Sequence, residues 1–437
     1  MRFGTAGVWF VLNETAEFEE VVKFLSSTLG VMNPERCVIG RDGRIGSPLL
    51  STLAASLSLW HGCDVFDLGV SPTPLVAYSS RELDALGFSI TSSHNPPNYS
   101  GFKVFDWLGL QLPRKLEEEI ERAYLDYRPL GYSNGEYKDA SFMLDEYESD
   151  LLAGLPGTGR SMKLLIDPGN GTASEIAPRL FSSLGHEVIT VNSNLSWSFP
   201  GRSPEPTEES LRETSKLVEL TGSDLGIAYD GDADRLVVLE EGGKVVPDRY
   251  LSALLLKLTL ERRRGKVVLS VNTSKAVEDV ARSYGCEVVR ARLGKTFRTL
   301  HEIGGVFATE PSKVVDAEWG LWEDGLYSSL KLVQYLSSEG LSIREAIEDI
   351  PKYEYLQVNL KADGFDLNKV KERARSAFKG FGVVEESELD GFKLELEDGS
   401  WVLFRKSGTE PKVRIYAESK GGKVRELVKI ALGVLNG

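Results

Sequence analysis

The chain has 437 residues, which corresponds to roughly three domains of ordinary size. Apolar residues make up 41% and charged residues 27% of it, as in soluble globular proteins. With 65 acidic and 51 basic side chains the net charge is −14, which argues against a nucleic-acid binder and against binding to an anionic membrane surface. A local basic pocket for a small anionic substrate is compatible with this charge.

Cysteine usage and the first residues favour a cytoplasmic protein. Cys37, Cys63 and Cys286 are far apart and form no CxxC pair, so neither a disulfide framework nor a cysteine zinc site is expected. Residues 1–10 lack a charged segment followed by a long apolar one, so no signal peptide is predicted. The apolar stretch 250–260 is too short to span a bilayer and is predicted to be a buried helix.

Strand-like apolar runs alternate with amphipathic helical runs over the first 350 residues. This order predicts α/β domains with mostly parallel sheets. Ser47 is expected to cap one of the helices, with Pro48 at its first position. The clearest elements are a strand at 36–40, a helix at 47–60, a strand at 163–167, a helix at 174–184, a strand at 266–271 and a helix at 274–284.

Three segments share a leading glycine, an apolar strand and a polar loop: 87–95, 226–235 and 305–313. Their internal spacings differ, which excludes a solenoid repeat. They predict three related α/β domains, each with one loop at the carboxyl end of a strand, where open α/β sheets bind ligands.

Beyond about residue 350 the pattern changes to strands of alternating polarity, which predicts a smaller α+β domain. A helix predicted at 342–349 precedes this domain. The expected elements of the domain are a strand at 353–360, a helix at 366–378, strands at 392–397 and 401–405, and a helix near 422–435. A linker at 129–135 is predicted to separate the first two domains, and the glycines near 242 mark the second domain boundary. The predicted domains are 1–132, 133–242, 243–350 and 351–437.

The loop at 91–97 combines hydroxyls, a histidine and two prolines. Ser93 beside His94 is the arrangement of a nucleophile with a neighbouring base. The alternative is a polar turn in which serine and asparagine side chains hydrogen-bond the backbone. Since sequence neighbours need not face each other, the pattern alone leaves both interpretations open.

Asp230, Asp232 and Asp234 place three carboxylates at alternate positions after an apolar run. Such oxygen ligands suit Mg²⁺ or Ca²⁺, and three close carboxylates repel one another unless a cation binds them. An EF-hand is excluded because Arg235 stands where that loop requires glycine. A solvated acidic turn is the alternative.

Two further loops carry polar groups. Glu310 and Ser312 precede Trp319 and Trp322, whose rings either bind a sugar or simply pack. Residues 405–414 combine cations, hydroxyls and a glycine, the elements of a phosphate cradle. Residues 402–425 carry seven basic and two acidic side chains, a local net charge of +5, although a solvated hairpin turn is the alternative there.

In this order the four loops resemble those of the α-D-phosphohexomutase family, over nearly the whole chain. The family includes phosphoglucomutases, phosphomannomutases and phosphoglucosamine mutases. The matching segments are Phe3-Gly4-Thr5-Ala6-Gly7, Gly40-Arg41-Asp42-Gly43-Arg44, Pro72-Thr73-Pro74, Ser92-Ser93-His94-Asn95-Pro96, Gly101-Phe102-Lys103, Asp230 to Arg235, and Arg405-x-Ser407-Gly408-Thr409-Glu410-Pro411-x-x-Arg414.

The resemblance implies three related α/β domains with mixed, mostly parallel sheets plus a smaller C-terminal α+β domain around a central cleft. It implies an isomerase that moves a phosphoryl group reversibly between the 1- and 6-positions of a hexose phosphate. Ser93 would carry the group, and a hexose 1,6-bisphosphate would be the bound intermediate. Mg²⁺ would be held by Asp230, Asp232, Asp234 and a phosphoserine oxygen.

The resemblance also implies roles for other residues. Lys103 and Arg235 would supply positive charge, and His94 or Lys103 would manage the hydroxyl proton. Glu310 and Ser312 would bind sugar hydroxyls. The distal phosphate would be bound by Arg405, Ser407, Gly408, Thr409 and Arg414. The expected partners are small hexose phosphates, with no nucleic acid and no membrane.

Two segments depart from the family pattern. Val8-Trp9-Phe10 stands where an Ile-Arg-Gly sequence is common, and Thr309 to Val314 lacks the flanking glycine and the terminal Gly-His of the usual sugar loop. Lys313 is expected to place a positive charge near the sugar, which favours glucose or mannose over cationic glucosamine. The alternatives are a phosphoglucosamine mutase, a phosphosugar-binding protein without catalysis, and a phosphatase that uses Asp230 as nucleophile.

Overall fold

The computed structural model describes residues 1–4, 7–129, 131–154, 159–361, 365–406 and 412–436. The chain forms two compact units. Unit 1 comprises Met1–Leu251 and Ser312–Glu348, and unit 2 comprises Ser252–Pro311 and Asp349–Gly437.

The first part of unit 1 is built on a six-stranded mixed sheet. Its elements are β1 (Val8–Phe10), α1 (Phe18–Met32), β2 (Arg36–Arg41), α2 (Ser47–His61), β3 (Asp64–Val70), α3 (Thr73–Glu82), β4 (Leu86–Ile90), β5 (Ser100–Phe105), α4 (Arg114–Leu125) and β6 (Tyr137–Asp139). The strand order is β1-β5-β4-β2-β3-β6, with β1 and β5 antiparallel to their neighbours and the others parallel. Strand β6 lies beyond the expected boundary at 132 and still pairs with β3.

A second, four-stranded sheet follows in unit 1. Its elements are α5 (Met143–Ala153), β7 (Lys163–Asp167), α6 (Ala173–Ser183), β8 (Glu187–Thr190), α7 (Arg212–Thr221), β9 (Leu225–Tyr229) and β10 (Leu236–Glu240). The following helix, α8 (Asp248–Arg262), begins in unit 1 and continues in unit 2. The order is β10-β9-β7-β8, in which only the β9–β10 hairpin is antiparallel. Every residue of β4 and of β9 is buried, because helices cover both faces of a parallel sheet.

The chain then enters unit 2 and returns to unit 1. In unit 2 it forms β11 (Val267–Ser270), α9 (Lys275–Ser283), β12 (Val288–Ala291), α10 (Thr296–Glu302) and β13 (Phe307–Glu310), and β11 pairs in parallel with both β12 and β13. In unit 1 it forms β14 (Lys313–Asp316), α11 (Gly325–Glu339) and α12 (Ile343–Ala346).

The rest of unit 2 is an antiparallel sheet covered by two helices. Its elements are β15 (Glu354–Lys361), α13 (Leu367–Phe378), a 3₁₀ turn (Lys379–Phe381), β16 (Val383–Ser387), β17 (Phe392–Leu396), β18 (Trp401–Lys406), β19 (Lys412–Ser419) and α14 (Val424–Asn436). The strand order is β15-β19-β18-β17-β16. Apolar side chains of α13 and α14 pack with those of the central strands into one core.

The predicted fold class is confirmed: three sheets with parallel strands precede one antiparallel sheet. Two local predictions need correction. Gly46, not Ser47, is the N-cap of α2, and the Ser47 hydroxyl instead donates to Asp42 at 2.5 Å. The helix expected at 342–349 is a single turn, α12. None of the helices in the described ranges is long and apolar enough to cross a membrane.

Candidate active site

The loop between β4 and β5 holds Ser93 in a buried, constrained position. Ser93 is 2% exposed and has a φ of +49°, a left-handed conformation that is unfavourable for residues with a side chain. Its backbone N–H donates to Thr91 Oγ1 at 2.8 Å, and the Asn95 N–H donates to the Ser92 carbonyl at 2.9 Å. These bonds fix the Ser93 hydroxyl just beyond the carboxyl end of β4.

Arg44 holds this loop by its backbone carbonyls, and it is the main residue to which the sequence analysis gives no role. Its guanidinium forms an ion pair with Asp42 at 2.9 Å and donates to the carbonyls of Ser93 at 2.8 Å and Asn95 at 2.7 Å. It also donates to the carbonyls of Pro96 and Tyr99. A rigid fork of five N–H groups can serve several carbonyls at once, which explains why arginine occupies this buried position.

The three aspartates lie in the tight turn between β9 and β10. Asp230, Asp232 and Asp234 are each at most 1% exposed, and Ala233 between the last two has a φ of +62°. One carboxylate oxygen from each aspartate lies within 4.8 Å of the others. The buried strand β9 therefore delivers three charges to one point, as the alternating spacing predicts.

The serine loop and the aspartate turn meet directly. The Ser93 hydroxyl donates to Asp230 Oδ2 at 2.7 Å. A side chain at Gly231 would place its Cβ 2.6 Å from the Ser93 carbonyl oxygen, so only glycine allows this approach. Thr73 joins the turn as well: its N–H donates to the Asp232 carbonyl at 2.9 Å and its hydroxyl to Asp232 Oδ2 at 2.5 Å.

Two buried lysines neutralise the turn. Lys103 on β5 donates to Asp232 Oδ2 and Asp234 Oδ2, both at 2.6 Å. Lys313, the first residue of β14, donates to Asp234 Oδ2 at 2.8 Å and to Glu323 Oε1 at 3.1 Å. The expectation that Lys313 places its charge near the sugar is corrected, because this charge is buried between two carboxylates. The argument against glucosamine as substrate is removed with it.

These contacts set the ionisation of the site. Burial alone would lower the pKa of Lys103, but the carboxylates of Asp232 and Asp234 outweigh it and raise this pKa. Burial alone would raise the pKa of Asp234, but Lys103 and Lys313 outweigh it and lower that pKa. The pKa of Asp230 is raised well above its ordinary value by burial and by the other two aspartates. Asp230 is thus the carboxylate that most lacks a compensating charge.

The donor set fits a divalent cation. Each of Asp232 and Asp234 uses Oδ2 for hydrogen bonds, while its Oδ1 is buried and has no hydrogen-bond partner among the described residues. A buried oxygen without a partner is costly, which favours a ligand there. Carboxylate oxygens are the ligands that Mg²⁺ prefers.

His94 and Arg235 flank the same site. Burial, assisted by the charges of Arg235 and Lys313, lowers the pKa of His94 to about 2, so its imidazole is neutral at pH 7 and a weak base. The Arg235 Nε lies 3.9 Å from carboxylate oxygens of Asp230 and Asp234. The structure therefore brings Ser93, His94, Lys103 and Arg235 together with the triad. It favours positive charge over proton abstraction as the role of Lys103.

The residues expected to bind sugar have well-defined surroundings. Glu310, at the end of β13 in unit 2, accepts from the Gly294 N–H and the Thr296 hydroxyl, both at 2.6 Å. Ser312 in unit 1 has a φ of +62°, and its N–H donates to Asp248 at 2.8 Å.

Trp319 and Trp322 belong to an aromatic cluster in unit 1. Trp319 stacks between Tyr78 and Tyr327, with ring centroids 5.9 and 5.2 Å away. Trp322 is 2% exposed. Packing is therefore the interpretation that the structure supports for Trp322.

Two of the predicted phosphate ligands lie side by side in unit 2. Arg405 on β18 pairs across the sheet with Arg414 on β19. Asp390 Oδ2 accepts from Arg405 Nε at 2.7 Å and from the Leu293 N–H at 3.2 Å, which fixes the guanidinium. Like charges directly opposite each other are unfavourable, and Asp390 compensates that of Arg405. Ser407, Gly408 and Thr409 lie outside the described residues, as do Thr5 and Ala6 of the N-terminal motif.

Comparison with known proteins identifies the class. The four domains of the phosphoglucomutase/phosphomannomutase family match residues 1–129, 147–243, 247–353 and 359–429. The chain belongs to this family. It is therefore an isomerase of the phosphohexomutase type, which moves a phosphoryl group between positions of a sugar phosphate.

Individual relatives carry several substrate names. A probable phosphoglucosamine mutase from Pyrococcus abyssi is 36% identical over 447 residues, which cover 98% of each chain. A phosphopentomutase from Thermococcus kodakarensis is 33% identical over 441 residues, which cover 99% of this chain and 97% of that protein. A solved phosphoglucomutase/phosphomannomutase family protein from Burkholderia thailandensis shares the fold, with a TM-score of 0.87 at 24% identity over 100% of this chain and 98% of that one.

Replacing Arg44 tests how the serine loop is held. In Arg44→Met the carbonyls of Ser93 and Asn95 and the Asp42 carboxylate lose their buried partner, so we expect a loss of about 3–5 kcal/mol in the free energy of unfolding, measured by urea denaturation. The matched control is Arg36→Met, because Arg36 is exposed and its guanidinium donates to the Leu83 carbonyl, away from the serine loop. Equal midpoints for the two variants would contradict the role given to Arg44.

His94 tests the assignment of proton transfer. Because its pKa is about 2, this side chain does not change charge between about pH 5 and 8 and so does not shape the pH–rate profile there. We expect the acid limb of kcat/KM to be the same in His94→Gln as in the unmodified protein, whatever the change in absolute rate. An acid limb that disappears in the variant would make His94 the titrating base.

Proposed function

We propose that the chain transfers a phosphoryl group between the 1- and 6-positions of a hexose phosphate through a phosphoserine at Ser93 and a bound hexose 1,6-bisphosphate. The observation that carries this proposal is the 2.7 Å hydrogen bond from the Ser93 hydroxyl to Asp230. Among the described residues of the 91–97 loop, Ser93 has the only hydroxyl that contacts the aspartate triad. The hydrogen bond therefore links the proposed phosphoryl carrier to the proposed cation site.

Mg²⁺ is the proposed metal. Asp230, Asp232 and Asp234 would hold it, together with an oxygen of the phosphoryl group on Ser93. When bound, the ion neutralises negative charge on the phosphoryl group during transfer. The Oδ1 atoms of Asp232 and Asp234, which accept no hydrogen bond from any described residue, support this assignment.

The transfer itself needs no strong base. The bond between phosphorus and Ser93 Oγ breaks, the sugar hydroxyl oxygen bonds to phosphorus, and the hydroxyl proton ends on Ser93 Oγ. The regenerated Ser93 hydroxyl can then donate to Asp230, as it does in this structure. Positioning and charge compensation provide most of the rate enhancement in phosphoryl transfer. Lys103 and Arg235, both cationic at neutral pH, would supply the charge from the protein.

Two arginines of unit 2 are the proposed ligands of a phosphate. Arg405 and Arg414 form a pair of cations on neighbouring strands, which suits a phosphate that does not react. Ser407, Gly408 and Thr409 are expected to contribute to the same phosphate site. Glu310 would accept hydrogen bonds from sugar hydroxyls, and Ser312 of unit 1 is expected to bind sugar as well.

Glucosamine phosphate is the substrate that we place first. The relative at 36% identity carries that substrate in its name, and the buried pairing of Lys313 removes the objection to a cationic sugar. Glucose and mannose phosphates remain the next candidates. A pentose phosphate is a further candidate because of the phosphopentomutase at 33% identity.

A phosphatase that uses Asp230 as nucleophile is less well supported. The Asp230 carboxylate is buried against Ser93, and such an enzyme would leave Ser93 without a function. A phosphosugar-binding protein without catalysis would equally leave the triad and Ser93 unexplained.

An isomerisation assay tests the proposal. The full chain is incubated with Mg²⁺, a trace of hexose 1,6-bisphosphate and, separately, the 1-phosphates of glucosamine, glucose, mannose and ribose. We expect one of the hexose 1-phosphates to be converted to its 6-phosphate, and glucosamine 1-phosphate fastest. Ser93→Ala should lower kcat by at least about a thousandfold, because the acceptor oxygen is lost.

Ser92→Ala is the matched control, because Ser92 is also buried and, within the described ranges, its hydroxyl accepts a hydrogen bond from the Asn95 amide and makes no contact with the triad. It should keep most of the activity. Release of free phosphate without isomerisation would contradict the proposal in favour of the phosphatase. Conversion of ribose 1-phosphate alone would contradict the choice of a hexose.

A further inference from the structure

Lys313 and Glu323 form a buried ion pair beside the aspartate triad. Lys313 is 7% exposed and Glu323 is 4% exposed, and the ammonium nitrogen lies 3.1 Å from Glu323 Oε1 and 2.8 Å from Asp234 Oδ2. The Gln111 side-chain amide lies 3.4 Å from Glu323 Oε1.

Orientation of Asp234 does not depend on Lys313 alone. Lys103 donates to the same oxygen, Asp234 Oδ2, at 2.6 Å. Asp232 is oriented separately, by Thr73 and Lys103. If Lys313 were removed, Asp234 would therefore keep a strong buried anchor, and its Oδ1 would keep its orientation. What would change is the charge next to the triad.

Each member of the pair affects a cation at the triad in the opposite direction. The Lys313 ammonium repels a divalent cation bound by Asp234, whereas the Glu323 carboxylate attracts it. Both groups are buried, so water and salt screen these interactions poorly. The two charges therefore oppose each other in their effect on the cation.

We propose that the Lys313–Glu323 pair sets how tightly the aspartate triad binds its divalent cation, with Lys313 weakening and Glu323 strengthening the binding. The inference rests on the proposed magnesium site. It makes Lys313 a residue that tunes the metal affinity through its 2.8 Å contact with Asp234 Oδ2.

Variants that each remove one charge test the proposal through Mg²⁺ affinity, without an activity assay. Mg²⁺ affinity is measured by calorimetry on the full, dephosphorylated chain and on Lys313→Met, Glu323→Gln and the double variant. We expect binding roughly tenfold tighter in Lys313→Met and roughly tenfold weaker in Glu323→Gln, from the removal of one nearby unit charge. The double variant should return to within about threefold of the unmodified protein, since the two effects cancel.

Two controls accompany these variants. Lys266→Met removes a lysine from an exposed ion pair with Glu287 in unit 2 and should leave Mg²⁺ affinity unchanged. Lys313→Arg keeps the charge and should also leave the Mg²⁺ affinity unchanged. Glu323→Gln preserves the test if Lys313→Met fails to fold. Circular dichroism establishes folding for each variant.

The possible results distinguish failure of the Lys313–Glu323 proposal from failure of the proposed magnesium site. Weaker Mg²⁺ binding in Lys313→Met that persists in the double variant would overturn it, because Lys313 would then act by orienting Asp234. Equal affinities in all variants, with normal binding by the unmodified protein, would overturn this proposal alone. If the unmodified protein binds no Mg²⁺ at all, the proposed metal site fails together with it.

Discussion

The compensation of buried negative charge is the constraint on which the site depends. Three carboxylates with oxygens within 4.8 Å of one another lie at most 1% exposed, a situation that is unfavourable without cations. Lys103 and Lys313 compensate Asp232 and Asp234, while Asp230 keeps a raised pKa and accepts from the Ser93 hydroxyl. The incomplete compensation at Asp230 is the feature that suits this turn to the proposed metal ion.

This constraint explains local features of unit 1. The aspartates reach one point because β9 is fully buried and its hairpin turn contains Ala233 in a left-handed conformation. Gly231 allows the serine loop to approach, and Arg44 holds that loop by its carbonyl oxygens. The serine loop and the aspartate turn are therefore brought together through their backbones, while buried side chains orient the carboxylates of Asp232 and Asp234.

Much of this was predictable from the sequence. The alternation of strands and helices predicted the α/β class, and strand 163–167 agrees with β7 at both ends. The buried helix expected at 250–260 lies within α8. Ser93 and the three aspartates each follow a predicted strand. They were expected to form a ligand site because open α/β sheets bind ligands at the carboxyl ends of their strands.

The contacts of Arg44, Thr73, Lys313 and Glu323 were not predictable in the same way. These residues lie far from the aspartates in sequence, and their contacts depend on how the sheets and loops pack. Arg44 was visible only as part of a motif without a stated role. Lys313 was assigned to the sugar because it follows Glu310 and Ser312, yet its side chain pairs with Asp234 and Glu323. Proximity in sequence was a poor guide to the partner of a long charged side chain.

The central claim is that Ser93 carries the phosphoryl group at a site shared with the aspartate turn. It is tested most directly by incubating the full chain with labelled hexose 1,6-bisphosphate and Mg²⁺, followed by proteolysis and mass spectrometry of the labelled peptide. The account predicts a single phosphoryl group on Ser93. A label on Asp230, on another hydroxyl, or on no residue of the chain would contradict it.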